Sequence, residues 1–329
     1  MKRITNLFFP TLAVLLIPQI LVSNCGSASC PLNNYRYLRA GLFQIGYTRE
    51  YINQDRIYVG SHRSFVGAIP YHHDEVQTIN ERSIVQLQIG LSDQLGLGVD
   101  IPFVSRQHGH IHHHLGEDLW ESWSFSGLGD MIVSGQYSIL LPESEFDPYI
   151  GVHAGVKLPT GVTNIRNAEG EEAEVSIQPG SGSTDGIVGL HFRQTIASVP
   201  TLSGDFSSLP LAAGVSYQFT GAGKDGWRFG NTLLVHAGTS YQFSHKATLF
   251  FQVNAKIQSH ADVGSTGEPG ENTGGTWVFA SPGLSVELND AMSLLGYIQL
   301  PIYQNVNGIQ QTSALNLQFG ISANIGLLD

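Results

Sequence analysis

Between Gln107 and Asp118 the chain reads Gln107-His-Gly-His-Ile-His-His-His-Leu-Gly-Glu-Asp118. Five imidazoles, His108, His110, His112, His113 and His114, lie within seven residues. Neutral imidazole is the commonest side-chain ligand for Zn, Cu and Ni, and alternate residues of an extended segment can converge on one ion. Glu117 and Asp118 add carboxylate oxygens close by. A His-rich tract is a compositional signal for metal. The chemistry in view is capture of a divalent transition metal, with a solvated polar loop as the competing reading. His62, Tyr71-His-His-Asp-Glu75 and His260 fall in stretches that the strand pattern places on the same side. Nine of the thirteen histidines therefore gather there.

A second group is defined by phase. Ile150, Val152, Ala154, Val156 and Leu158 alternate so that His153 and Lys157 turn to the opposite face. Val188, Leu190 and Phe192 do the same for His191 and Arg193. By the same parity Asp100, Asp130, His236, Lys256 and Glu287 sit opposite the oily face. Charge on a lipid face costs a few kcal/mol near the midplane, so these nine side chains are expected to line a lumen. They would form either a selectivity ring or a packed plug, and His153, His191 and His236 could cluster. Gly180-Ser-Gly-Ser-Thr-Asp-Gly186 has the look of a phosphate loop but lacks the flanking strand and helix that reading needs. Gly-x-Ser-x-Gly is absent, which leaves a hydrolase built on adjacent strands as the enzymatic alternative to a non-enzyme.

The elements that would position these residues are strands. From Leu315 to Leu327 every odd position is apolar and every even one small or polar. The same alternation runs through Val85–Leu91, Leu95–Phe103, Leu233–Phe243 and Ala247–Ile257. It predicts twelve strands, at 36–49, 81–91, 95–104, 127–140, 146–158, 184–196, 208–219, 230–243, 247–259, 276–288, 292–303 and 313–327. Most reach the nine to eleven residues that cross a bilayer at a tilt. Gaps between them alternate long and short, with 197–207 the awkward member. Long outward loops and short periplasmic turns are the signature of an up-and-down barrel. An open edge in hydrocarbon would strand backbone groups, so the last strand is expected to pair with the first, at Tyr35–Arg49.

Composition agrees. Only 13% of residues are charged, 38 are Gly, and mean hydropathy is near zero. Soluble chains carry nearer a quarter charged residues. Lys2 and Arg3, an apolar run over 7–22 and small residues at 26–29 read as a secretory signal over 1–29, leaving a barrel over 30–329. Lipidation of Cys25 is a rival, as is a Cys25–Cys30 disulfide in an oxidising compartment. Net charge is −11, and loss of Lys2 and Arg3 takes it to −13, which disfavours nucleic acid. Trp120, Trp123, Trp227 and Trp277 are expected at membrane interfaces or packed in loops.

Four segments are similar to an outer-membrane family named for the meta-pathway of phenol degradation, a group of barrel transporters. They are Gly127-Leu-Gly-Asp130, Gly155-Val-Lys-Leu-Pro-Thr-Gly161, Gln178-Pro-Gly-Ser-Gly-Ser-Thr-Asp185 and Pro301-Ile-Tyr-Gln-Asn-Val-Asn-Gly308. The early Cys pair resembles a subset with Cys-rich mature N-termini. The resemblance implies passage of small molecules, aromatic or hydrophobic ones among them, across the outer membrane.

The expectation is thus an all-β, transmembrane, up-and-down antiparallel barrel of about twelve strands in the outer membrane. It would act as a solute channel, with Zn, Cu or Ni at the His-rich loop but no required cofactor. Its partners would be outer-membrane lipid, the solute and, during biogenesis, the barrel-assembly machinery. The alternative is a surface metal-binding protein anchored by a shut barrel.

Overall fold

The computed structural model describes residues 39–68, 73–114, 117–266 and 270–327. The expected signal segment, Cys25 and Cys30 lie outside the described residues. Among those described, twelve antiparallel strands run up and down. They are β1 Leu42–Val59, β2 His73–Gly90, β3 Leu95–His114, β4, β5 Tyr149–Lys157, β6 Asp185–Pro200, β7 Phe206–Phe219, β8 Thr232–Ser244, β9 Ala247–Gln258, β10 Gly275–Glu287, β11 Met292–Val306 and β12 Ile309–Gly326. Strand β4 comes in two segments, Glu117–Leu128 and Ile132–Leu140, both paired with β3. A two-residue rung, His62–Arg63, folds back on the end of β1.

Sequence neighbours are sheet neighbours throughout, and β12 returns to β1 in a register running from Leu42↔Gly326 to Val59↔Ile309. The sheet therefore closes into a cylinder across that seam, while the upper segment of β4, Glu117–Leu128, pairs with β3 alone. The alternation decides its inside. On β12, Leu315, Phe319 and Ile325 are exposed, whereas Asn316, Gln318 and Ser322 are buried. Leu249, Phe251 and Val253 of β9 face out while Phe250, Gln252 and Asn254 face in. The oily wall is outside and the polar wall inside, the reverse of a soluble barrel and the arrangement lipid requires.

The strand bounds differ from expectation at one end. The first strand spans Leu42–Val59, not 36–49, and residues 35–38 lie outside those described. β2 begins at His73 and β3 continues to His114, where loops were expected over 50–80 and 105–126. Beyond the lipid belt the outward face no longer needs to be oily: Gln107, Ser122 and Ser124 occupy it. The hydropathic alternation vanishes there although the pleat continues. The awkward gap at 197–207 shrinks to the turn 201–205, since β6 and β7 are each longer than their oily stretches. Turns at one end are then 91–94, 141–148, 201–205, 245–246 and 288–291. The other end carries the connections that follow β1, β3, β5, β7, β9 and β11, among them 158–184, 220–231 and 307–308.

The tryptophans divide. Trp120 is exposed on the outer face. Trp123 packs on Ala173 and Ile177, and Trp227 on Val175 and Phe229, both as loop packing. Trp277 is not at an interface: it lies on the inner wall with Phe279 and Val306, under the Lys256 ammonium at 5.2 Å.

Phe319 is 59% exposed on the oily wall and its neighbour Gln318 points in. Phe319→Arg is expected to destabilise the folded barrel by about 2–4 kcal/mol. Urea unfolding in lipid vesicles checks it, with Phe319→Leu near neutral.

Candidate metal centre

The His-rich tract is a strand, not a loop. Its residues alternate between faces, and only one parity turns inward: Arg106, His108 and His110 are buried. Opposite them on β4 stand Phe125, Trp123 and Glu121. On the other flank β2 has a bulge at Val76, so that Glu75 pairs with His110 and Thr78 with His108. An ordinary two-residue period could not turn both 75 and 78 to one face, and the extra residue does. Gly109 sits between the two histidines, where a Cβ would meet the Trp120 ring at 2.4 Å. Glycine lets that indole lie flat on the outside of the pair.

Ligand atoms of Glu75, His108 and His110 all lie within 4.8 Å of one another. His108 Nε2 is 3.3 Å from His110 Nδ1 and 3.5 Å from Glu75 Oε2. Each ring is held from behind: His108 Nδ1 is 2.8 Å from Thr78 Oγ1, and His110 Nε2 is 3.0 Å from Glu121 Oε2. The Trp123 ring stacks obliquely on both, at 5.8 and 5.1 Å. Of the five expected ligands, the structure brings together His108 and His110. The side chains of His112, His113 and His114 lie outside the described residues.

Against the Trp123 ring packs the 158–184 loop, which is locked in place at its base. Lys157 Nζ donates to Asp130 Oδ2 at 3.0 Å and to Ser183 Oγ at 3.1 Å, and it contacts Ser181 Oγ and, at 3.0 Å, Asp185 Oδ2. Asp130 in turn accepts from the backbone amides of Gly161 and Ser181 at 3.0 and 2.8 Å. Asp185 accepts from Gln218 Nε2 at 2.7 Å and Gly221 N at 3.0 Å. All of the charged members are buried. Gly161 and Gly180 touch backbone to backbone, with no room for a Cβ on either. Three of the four segments that carry the family resemblance thus meet in one knot. The Ser181 amide and hydroxyl donate to Asp130 and the Ser183 hydroxyl donates to Asp185, so these groups of the loop are engaged within the knot and not arranged as a phosphate cradle.

The inner wall takes up the rest of the phase-selected group. Asp100, Asp130, His153, Lys157, His191, His236 and Lys256 are buried, and Arg193 and Glu287 are half-buried on the same parity. His153 and His191 stack at 6.1 Å between centroids, and Tyr149 stacks on His191 at 5.4 Å. Each of the three histidines lies flat over a glycine of an adjacent strand: His153 over Gly189, His191 over Gly151 and His236 over Gly214. Charge also pairs along the wall, as in Arg82 Nε donating to Glu50 Oε2 at 2.8 Å.

Glu121 and Thr78 were not singled out from the sequence. The signal lay in Glu121-Ser-Trp-Ser-Phe125, which alternates aromatic or acidic with serine, the same two-residue period in another chemical alphabet. The sequence pattern places Glu75 in a loop, whereas it lies on β2.

No family model matches the chain, and no curated protein does. Solved structures do. An outer membrane channel from Pseudomonas putida F1 superposes with a TM-score of 0.59 at 12% identity, over 88% of this chain and 97% of the other. The NanC porin gives a TM-score of 0.45 at 11% identity, over 84% and 98%. The Pseudomonas putida toluene transporter TodX gives 0.41 at 9%, over 86% and 89%. At these identities the likeness is one of fold: an outer-membrane type of β-barrel.

Lys157→Ala would leave Asp130 and Asp185 buried without their cation, and removing one partner of a buried pair costs about 3–5 kcal/mol. The expected result is release of the loop, read as faster trypsin cleavage after Arg166 in the otherwise folded barrel. Conservative Asp185→Asn is expected to loosen it less.

Proposed function

We propose that the protein is an outer-membrane channel or transporter for small solutes, hydrophobic and aromatic compounds among them. The observation that carries this reading is the closed twelve-strand wall, oily outside and polar and charged within. Such a wall is stable in lipid, since closure of β12 on β1 pairs the backbone groups that an open sheet would leave bare. The fold shared with the Pseudomonas putida channel supports it, and so do the four segments similar to the phenol meta-pathway family. Aromatic side chains stand on the inner face at both rims. Phe250 and Tyr297 stand edge to face near one rim, and Trp277 and Phe279 near the other. Planar solutes would slide along such surfaces, with Gln252, Asn254 and Gln299 between them as replaceable hydrogen-bonding partners. In this reading the chain is exported by its N-terminal signal, inserted by the barrel-assembly machinery, and performs no catalysis. The long-loop end faces outward and presents the His-rich hairpin, which gathers Zn, Cu or Ni.

A second reading has its own support. Inner side chains such as Thr48, Gln86, Asn254 and Ser281 are almost wholly inaccessible to water. A wide aqueous pore would wet them. A barrel shut by its own side chains would instead anchor a metal-gathering surface. The loop locked by Lys157 fits either case, as gate or as plug.

Reconstituted into liposomes, the channel is expected to admit small aromatic alcohols and sugars in isotonic swelling assays. Deleting 164–176 should raise the rate several-fold. Absence of swelling with every solute, together with silence in planar bilayers, would leave the anchor reading in its place.

A further inference from the structure

We infer that Glu75, His108 and His110 form a single built site for a divalent transition-metal ion of the Zn class. This deepens the metal reading of the hairpin and is independent of whether the barrel conducts.

Three observations carry it. First, the spacing fits. Tetrahedral Zn holds nitrogen at about 2.0–2.1 Å, so two such ligands stand about 3.3 Å apart. His108 Nε2 and His110 Nδ1 are separated by 3.3 Å, and Glu75 Oε2 lies 3.5 Å from the former. Second, the back side of each ring is engaged. A histidine ligand commonly donates its other N–H to an oxygen, which fixes tautomer and orientation. With Nδ1–H of His108 donating to Thr78, its Nε2 lone pair is directed at the ion. With Nε2–H of His110 donating to Glu121, its Nδ1 lone pair is directed there too. The two rings thus use opposite nitrogens, as their partners Thr78 and Glu121 dictate. Third, the site is enclosed. Both histidines are buried beneath the Trp123 ring, which is itself packed on Ala173 and Ile177 of the locked loop. Arg106 Nη1 ties the same loop by donating to Ser176 O at 3.5 Å.

The donor set is two imidazoles and one carboxylate. It suits Zn, Ni or Cu and is poor for Mg or Ca, which prefer all-oxygen shells. Three protein ligands leave the fourth tetrahedral position to water or an exogenous ligand. The ion would bridge β2 and β3, with Glu121 bringing in β4, and so brace the hairpin where it rises beyond the lipid.

The test uses the full chain, folded in detergent, stripped with EDTA and titrated with Zn²⁺ against a chromophoric chelator. A single tight ion per chain is expected. The combined H112A/H113A/H114A variant should keep it, and H108A/H110A should lose it. E75Q is expected to weaken it, and T78V and E121Q to weaken it about 10–100-fold. Heat-modifiable gel migration shows that each variant is folded. Wild-type binding no tighter than millimolar overturns the inference. So does loss of the tight ion in the tip variant with retention in H108A/H110A. Swelling measured in EDTA reports on the channel separately, since the pore can fail with the metal site intact and the reverse.

Discussion

Backbone closure governs this molecule. In hydrocarbon an unpaired N–H or C=O costs several kcal/mol, and a sheet with an edge has a whole row of them. The seam between β1 and β12 removes that row by joining two eighteen-residue strands, Leu42–Val59 and Ile309–Gly326, along nearly their full length. Once the sheet is closed, the two-residue period has a fixed meaning. One phase faces lipid and the other faces a confined interior.

Confinement then sets the interior chemistry. Polar side chains turned into a narrow cylinder must find partners among themselves. Asn254 Nδ2 donates to Ser281 Oγ at 2.9 Å, Arg82 pairs with Glu50, and Lys157 stands among two carboxylates and two hydroxyls. Such groups are poor contributors to net stability but hard to rearrange, because breaking one contact exposes an uncompensated charge. The 158–184 loop is seated by the network around Lys157, Asp130 and Asp185. That loop in turn covers the histidine tripod through Trp123. A chain of contact runs from the barrel wall to the Glu75, His108 and His110 cluster.

Much of this was legible in the residues. The strands from Tyr149 to Glu287 lie close to their expected bounds, because their oily and polar phases alternate cleanly within the lipid belt. The barrel, the strand number and the β12 closure follow from the same signal. Where the strands leave the belt the signal fails. His108 and His110 look like loop residues because Gln107, Gly109, Ser122 and Ser124 on the outside have no lipid to satisfy. The segments near 127–130, 155–161 and 178–185 carry a resemblance, and their meeting around Lys157 could not be read from order alone, since it depends on two chain reversals and on glycines small enough to touch.

By itself the sequence determined the phase of each strand, because hydropathy is local and the pleat has a period of two. It determined too that histidine is concentrated in one tract. Tertiary structure decided what surrounds His108 and His110. A bulge at Val76 set Glu75 and Thr78 on one face, and pairing with β4 brought in Glu121 and Trp123. Coordination needs atoms from separate strands within a few ångströms, and that proximity is a property of register, which no single strand contains.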